Sequence, residues 1–363
     1  MNTKILFLVL TGCLLSLAAW LVHVPNPVQA DEVPEKYRDT VTKGLEYLDK
    51  NQFADGHWEG DDGKHPVAVT ALTGMALLME GSTVHKGKYS ANIRKAVDWL
   101  MTRSQAARDG LIFSGHPSET DRYMYGHGLA VQFLAWAYLA ENDKARREKL
   151  TDVVAKAVKY IDNARSTQGG WYRTSKVEGH DFDEILATAI QIQAMYMVRE
   201  HATDAQEYVK VSLEKYEKGA KPGPNRSRPA ETAAALACRS NPLTFLDQHG
   251  VCTTWFTYCR TEIPMGRNIQ FGRDELTHYY YAQAVYNHTL NVPTPVVAWS
   301  DYRTALFDHL QSTQNKDGSW PAPAEAQCGI GVGPVYGTAV WCTILQLDKR
   351  NHPLTRERER RTR

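Results

Sequence analysis

A chain of 363 residues that is 43% hydrophobic and 23% charged, with a mean hydropathy of -0.45, has an ordinary water-soluble balance and enough apolar material for one large core or two smaller ones. Its formal net charge of +1 excludes a whole-molecule field aimed at nucleic acid or an anionic membrane. The 18 Tyr and 9 Trp against 9 Phe point to amphipathic surfaces such as a cavity lining or repeated structural corners.

The chain opens with Lys4 and a nearly continuous apolar run from Ile5 to Val22. Pro25 and Pro27 follow, and then Val28-Gln29-Ala30 before Asp31. This reads as a signal peptide over residues 1–30. An uncleaved membrane anchor and a lipid at Cys13, within Leu10-Thr11-Gly12-Cys13, are the alternatives. Each places the body outside the cytoplasm, in the periplasm or the extracellular space, with membrane contact only through that segment.

From residue 31 to 350 the chain repeats itself. A helix leads into a turn of the Asp-Gly type followed by an aromatic residue, and a second helix rich in Ala and Leu comes next. GLEYLDKNQ leads to Asp55-Gly56-His57-Trp58 and then VAVTALTGMALL. AVDWLMTRSQ leads to Asp109-Gly110 and then HGLAVQFLAWAYL. AVKYIDNARSTQ leads to Gly169-Gly170-Trp171, with Asp181-Phe182-Asp183-Glu184 immediately before ILATAIQIQ. LFDHLQSTQNK leads to Asp317-Gly318-Ser319-Trp320 and then GTAVWCTILQL. The first two turn intervals are about 54 and about 60 residues, and weaker copies at Thr232–Cys238 and Tyr279–Tyr286 bring the count to about six hairpins. The Pro/Gly/Arg stretch from Lys221 to Arg228 reads as a solvated connector, and residues 351–363 as a charged tail.

The first helix of each unit is amphipathic, as with Val97, Leu100 and Met101 among charges. The second is apolar on nearly every face. One hairpin cannot cover such an inner helix. Six can, by closing into a ring with the inner helices at the axis and the outer ones as a jacket. The fold predicted is all-α, an (α/α)6 toroid.

The turns match Gln-x-x-x-Gly-x-Trp at Gln52, Gly56, Trp58 and at Gln314, Gly318, Trp320, with a compressed copy at Gln168, Gly170, Trp171. In these residues the chain resembles the squalene-cyclase and prenyltransferase repeat superfamily, whose fold is an (α/α)6 toroid with a central cavity. The PVAVTAL, MYGHGLA, HYYYAQA and GPVYGTA segments are similar to exported single-toroid repeat proteins of planctomycete-type bacteria. Prenyltransferases of the superfamily hold zinc with an Asp-x-Cys pair. Here Gly250 and Thr257 precede Cys252 and Cys259 at that offset, and Leu236, Ala326 and Val340 precede Cys238, Cys328 and Cys342. There is no Cys-x-x-Cys or His-x-x-x-His, so no metal and no cofactor is expected. The thioester motif of related scaffolds is also missing, since Cys328 sits in QCGIGVG.

Two candidate sites remain. Class II terpenoid cyclases protonate an alkene with the middle Asp of Asp-x-Asp-Asp. The resemblance maps that role onto Asp183, flanked by Asp181 and Glu184, whereas the same acids at a helix start can simply cap it. The second site is a Tyr/His rim. Tyr125, His127, His278, Tyr279, Tyr280 and Tyr336 lie at or near inner-helix starts, which a toroid brings to one mouth. Those rings either bind a ligand or pack between helices. The function expected is an exported toroid binding a hydrophobic, carbohydrate or peptide ligand or partner in its cavity. The alternative is a secreted enzyme on the same scaffold, using Asp183 for cyclase-like proton transfer or the Tyr/His rim as a polysaccharide lyase or hydrolase.

Overall fold

The computed structural model describes residues 32–106, 108–198, 229–240, 251–263, 275–321 and 332–354. The N-terminal segment with Cys13, the connector at 221–228, Cys328 and the tail from 355 lie outside the described residues. The chain divides into two compact units, Met1–Glu32 and Val33–Arg363, and the second carries every helix named below.

Among the described residues there are eleven α-helices and no strand. Five are outer helices: α1 (Glu35–Lys50), α3 (Ser90–Ala106), α5 (Lys144–Ala164), α8 (Val251–Glu262) and α10 (Trp299–Thr313). Six are inner: α2 (Pro66–Glu80), α4 (Tyr123–Tyr138), α6 (Ile185–Val198), α7 (Pro229–Arg239), α9 (Glu275–Asn291) and α11 (Pro334–Leu345). Each inner helix packs on the next in that order, and α11 returns to α2, so the ring is closed. The inner helices are buried along almost their whole length, whereas an outer helix buries one stripe, such as Ile93, Val97 and Leu100 of α3. The apolar periodicity of the outer helices and its absence from the inner ones therefore reflect their two layers.

Inner helices approach closely because small residues and glutamines face their neighbours. A Cβ on Gly74 of α2 would come within 2.4 Å of the Phe133 ring of α4. Gln132 donates to Ile190 O at 3.1 Å, Gln191 to Met124 O at 2.8 Å, and Gln346 to Ala76 O at 3.1 Å across the closing seam. Buried amides thus spend their donors on carbonyls of the adjacent element.

The Gln-x-x-x-Gly-x-Trp turn is a clip. Trp58 Nε1 donates to Leu48 O at 2.7 Å and Trp320 Nε1 to Leu310 O at 2.8 Å, each tying the turn to the outer helix before it. The Trp backbone N–H groups donate to Thr70 and Thr338 on the following inner helix. Gln52 Nε2 reaches both Gly56 O and Asn92 O of α3, and Gln314 Nε2 reaches Gly318 O and Thr40 O of α1. Gly56 (φ 103) and Gly318 (φ 94) lie left-handed against the next outer helix, where a Cβ would meet the Lys95 and Lys43 carbonyl oxygens at 2.6 and 2.2 Å. Only glycine fits there.

The third turn corrects one expectation. The left-handed residue is Gly169 (φ 101), not Gly170, and Trp171 repeats the clip through Ile161 O and Thr188 Oγ1. The turn is therefore in full register, with Arg165 standing where the other turns have Gln. The second turn keeps Gly110 at φ 89 but places Ile112 at the Trp position.

The packed unit continues past residue 350. Asn351 donates to Met79 O, the His352 ring meets Trp136 edge-on, and Leu354 O accepts from Asn287. Residues 346–354 thus lie across the C-terminal ends of inner helices, and the cavity opens toward their N-terminal ends.

Candidate functional site

Three loops, 59–65, 114–122 and 172–184, meet above the N-termini of α2, α4 and α6. They are stitched together by hydrogen bonds. His65 N–H donates to Ser118 Oγ at 2.9 Å, and Met124 N–H donates to Arg173 O at 3.0 Å. Glu119 reaches across to cap α2: its Oε1 accepts from Val67 N–H at 2.8 Å, while Oε2 accepts from the Ser114 N–H and hydroxyl. Burial raises the Glu119 pKa above the ordinary carboxylate value even though those bonds favour the anion. His65 is left-handed (φ 49), and burial, reinforced by the positive charge of Arg122, pushes its pKa down to about 4. Its ring is therefore neutral at pH 7. Asp121 holds Arg122 by two contacts of 3.0 Å.

Tyr125 Oη donates to Glu184 Oε2 at 2.6 Å, and Arg173 Nε lies 3.5 Å from the same oxygen. Burial first, and then the Glu184 charge, raise the Tyr125 pKa far above its usual value, so the phenol is a permanent donor. The mouth thus holds a buried carboxyl, a neutral imidazole, a guanidinium and a phenol paired to a carboxylate, a set suited to orienting polar groups or moving a proton.

Below this rim lies a cavity of about 40 Å³, room for about three waters. Its wall is almost wholly apolar: Leu72, Leu129, Ile190 and Val340 come from four inner helices, with Tyr279, Tyr280 and Tyr336 beside them. The lining residues on the inner helices fall within their first two turns.

Of the residues singled out from sequence, Tyr125, Tyr279, Tyr280 and Tyr336 line this cavity together, and Glu184 joins them through Tyr125. His127 and His278 do not line it. His127 accepts from Ile112 N–H at 3.1 Å through Nδ1 and donates from Nε2 to Ala157 O at 3.1 Å. It occupies the place of the clip threonine and, being longer, also reaches α5. His278 Nδ1 lies 2.7 Å from the Tyr302 hydroxyl of outer helix α10. Burial holds these rings neutral, with pKa values of about 4 and about 3. Asp183 is exposed, bonds the Ser166 hydroxyl and is not part of the lining, while Asp181 accepts from Thr167 N–H and its hydroxyl. Both acids pin the third turn to the start of α6.

Glu119, Arg122 and His65 were not singled out from sequence. The usable signal was local: Glu119-x-x-Arg122 precedes one inner helix and His65 precedes Pro66 of another, polar residues at the same position as the Asp/Glu run before α6. Among the described residues no three His, Cys, Asp or Glu side chains are grouped to hold a metal ion.

Residues 28–198 match the squalene-hopene cyclase C-terminal domain family. Human lanosterol synthase is 31% identical over 102 residues, which is 28% of this chain and 14% of that enzyme. The chain therefore spans only a small part of that relative. Among solved structures, the GH76A alpha-1,6-mannanase from Salegentibacter sp. HEL1_6 is similar at a TM-score of 0.58 with 9% identity, covering 86% of this chain and 99% of the mannanase. An inactive variant of that enzyme in complex with alpha-1,6-mannotriose is similar to the same degree. At that identity the likeness is one of fold.

Proposed function

We propose that this chain, which belongs to the terpenoid-cyclase and prenyltransferase repeat superfamily, is an exported binding protein that takes an apolar or amphipathic ligand along the axis of its ring. The observation that carries the reading is the contrast between an apolar cavity wall and the charged rim directly above it. Such a site seats a hydrocarbon body and orients a polar end. A ligand larger than a few atoms must displace lining side chains, which can turn without disturbing the clips that hold the backbone. Export rests on the apolar run before Asp31. Native mass spectrometry of the protein purified from its own envelope tests both points. The expected result is a mature mass starting at Asp31 and a retained adduct that is lost in a cavity-filling Leu72→Trp variant. A protein that carries no adduct and gives identical spectra with and without Leu72→Trp would sink the binding reading.

A second reading, an enzyme on this scaffold, is supported by the acid–base set at the rim. Glu119 is the buried carboxyl beside the cavity, whereas Asp183 faces solvent. The fold likeness to an alpha-1,6-mannanase makes alpha-1,6-mannotriose a natural probe, and an acyclic triterpene is the other. Turnover of either probe that is abolished by Glu119→Gln, with folding intact, supports catalysis. No turnover of either leaves binding as the function.

A further inference from the structure

A ligand that enters the axial cavity must pass the loops over its mouth, and those loops are not equally fastened. Loop 59–65 is wedged against the residues before α11. Asp61 N–H donates to Val332 O at 2.8 Å, and a Cβ on Gly60 would meet that same oxygen at 2.3 Å. Loop 172–184 is tied by Met124 N–H to Arg173 O and by Ser175 N–H to the Tyr123 hydroxyl at 2.7 Å. Asp181 and Asp183 bind it to the third turn as well. The inner helices below are locked together by their buried glutamines.

Segment 114–121 is different. Among the described residues only two hydrogen bonds reach from it to another part of the ring. His65 N–H donates to Ser118 Oγ and Val67 N–H to Glu119 Oε1, both at the start of α2. Its other bonds stay within the loop, as with Ser114 to Glu119, His116 to Ser118 and Glu119 N–H to His116 O. Its one apolar side chain, Pro117, is exposed, so no buried hydrocarbon holds it down. The ends of the loop are neighbours, since the Phe113 and Tyr123 rings meet edge-on at 6.1 Å. A self-bonded loop with adjoining ends and two outward bonds can swing as one piece.

We infer that segment 114–121 is the gate of the axial cavity, latched to α2 by Ser118 and Glu119 and swinging away to admit the ligand. This rests on the binding reading above and adds the route of entry to it. Glu119 and Arg122 of this loop line the cavity at its mouth, so their departure with the loop widens the opening. The two N–H groups left behind stand at the N-terminus of α2. Such groups have no partner in the helix itself, and water can replace the lost acceptor.

The test is amide hydrogen exchange by NMR on the full-length protein, in wild type, Glu119→Ala and Ser118→Ala. Each variant removes one half of the latch, and the amide on the other half reports. The His65 amide should exchange about tenfold faster in Glu119→Ala, and the Val67 amide about tenfold faster in Ser118→Ala, one hydrogen bond's worth of closure. The Met124 amide, held by the neighbouring loop, should keep its wild-type rate. If each variant speeds only the amide it unpairs, the two bonds break separately and there is no gate. If Met124 speeds up equally, the whole mouth has loosened and the inference is again wrong.

Entry is read by stopped-flow fluorescence with N-phenyl-1-naphthylamine in wild type and Ser118→Ala, since Ser118 does not line the cavity. A gate predicts association and dissociation rates that both rise about tenfold while the affinity changes by less than about twofold. Unchanged rates with a bound probe overturn the gate and leave the binding reading standing. A probe that binds neither protein overturns the binding reading and, with it, the entrance.

Discussion

A neutral imidazole locked inside a protein makes stability depend on pH, and His127 and His278 are two such groups, 0% and 3% exposed. Their folded pKa values, about 4 and about 3, lie below the unfolded value of about 6.5. Above pH 6.5 neither state is protonated and the full stability is present. As pH falls below 6.5 the unfolded chain gains protons that the folded chain refuses, and stability drains away toward the folded values. Each ring should cost on the order of 2 kcal/mol at pH 5 relative to pH 7. Urea midpoints measured at the two pH values check this, and His127→Gln should remove one ring's share of the slope, leaving those of His278 and of His65, whose folded pKa is also about 4. The same residue shows where sequence reading reached its limit. Its position at the start of an inner helix was legible. Its direction was not, because it turns outward to Ile112 and Ala157 in place of the clip threonine.

At the scale of elements the clip governs. Gly56→Ala or Gly318→Ala would force a side chain into left-handed backbone and onto the carbonyl of the next outer helix. Each should destabilise by about 2 kcal/mol or more, read as a lowered denaturant midpoint with an unchanged m-value. Gly170→Ala is a different experiment, since the left-handed residue in that turn is Gly169. A Cβ at 170 meets the Asp183 carboxyl at 2.8 Å and the clip hydroxyl of Thr188 at 2.9 Å, so its damage should fall on the third turn and be relieved only in part by Asp183→Ala. Trp320→Phe removes the indole N–H that Leu310 O accepts, leaving that carbonyl the longer 3.5 Å bond from the Thr313 hydroxyl, and also empties part of the ring's space, at a cost of about 1–3 kcal/mol. The clip positions were visible in the sequence because each needs a particular residue type: Gly for its φ and close approach, Trp for an indole N–H, Gln for two carbonyls. The third copy looked compressed only because Arg165 replaces Gln.

For the whole molecule the consequence is closure. The last hairpin returns to the first through Gln346 to Ala76, Gln314 to Thr40 and Tyr37 to Asp308, and each inner helix is buried on every side by its neighbours. A closed ring has no end repeat from which to fray, unlike an open solenoid. Thermal unfolding should therefore be one transition, the same by far-ultraviolet circular dichroism and by Trp fluorescence. Gln346→Ala with Asn351→Ala at the seam should lower the midpoint without splitting it. A seam variant that unfolds in two resolved steps would contradict the closed ring.

The sequence by itself determined the helical hairpins, their number, the ring they close into and the turns that clip them. Outer-helix periodicity and the steric demands of the turn are local properties, written in consecutive residues. What only the tertiary structure decided was which inner-helix side chains face the axis. A helix buried all round carries no hydropathy period to mark one face from another, so Tyr279 and Tyr280 could not be told from His278 by pattern. Nor could a loop carboxyl such as Glu119 be assigned to the cavity before three hairpins met above it. The depth and apolar wall of the cavity exist only where distant repeats converge.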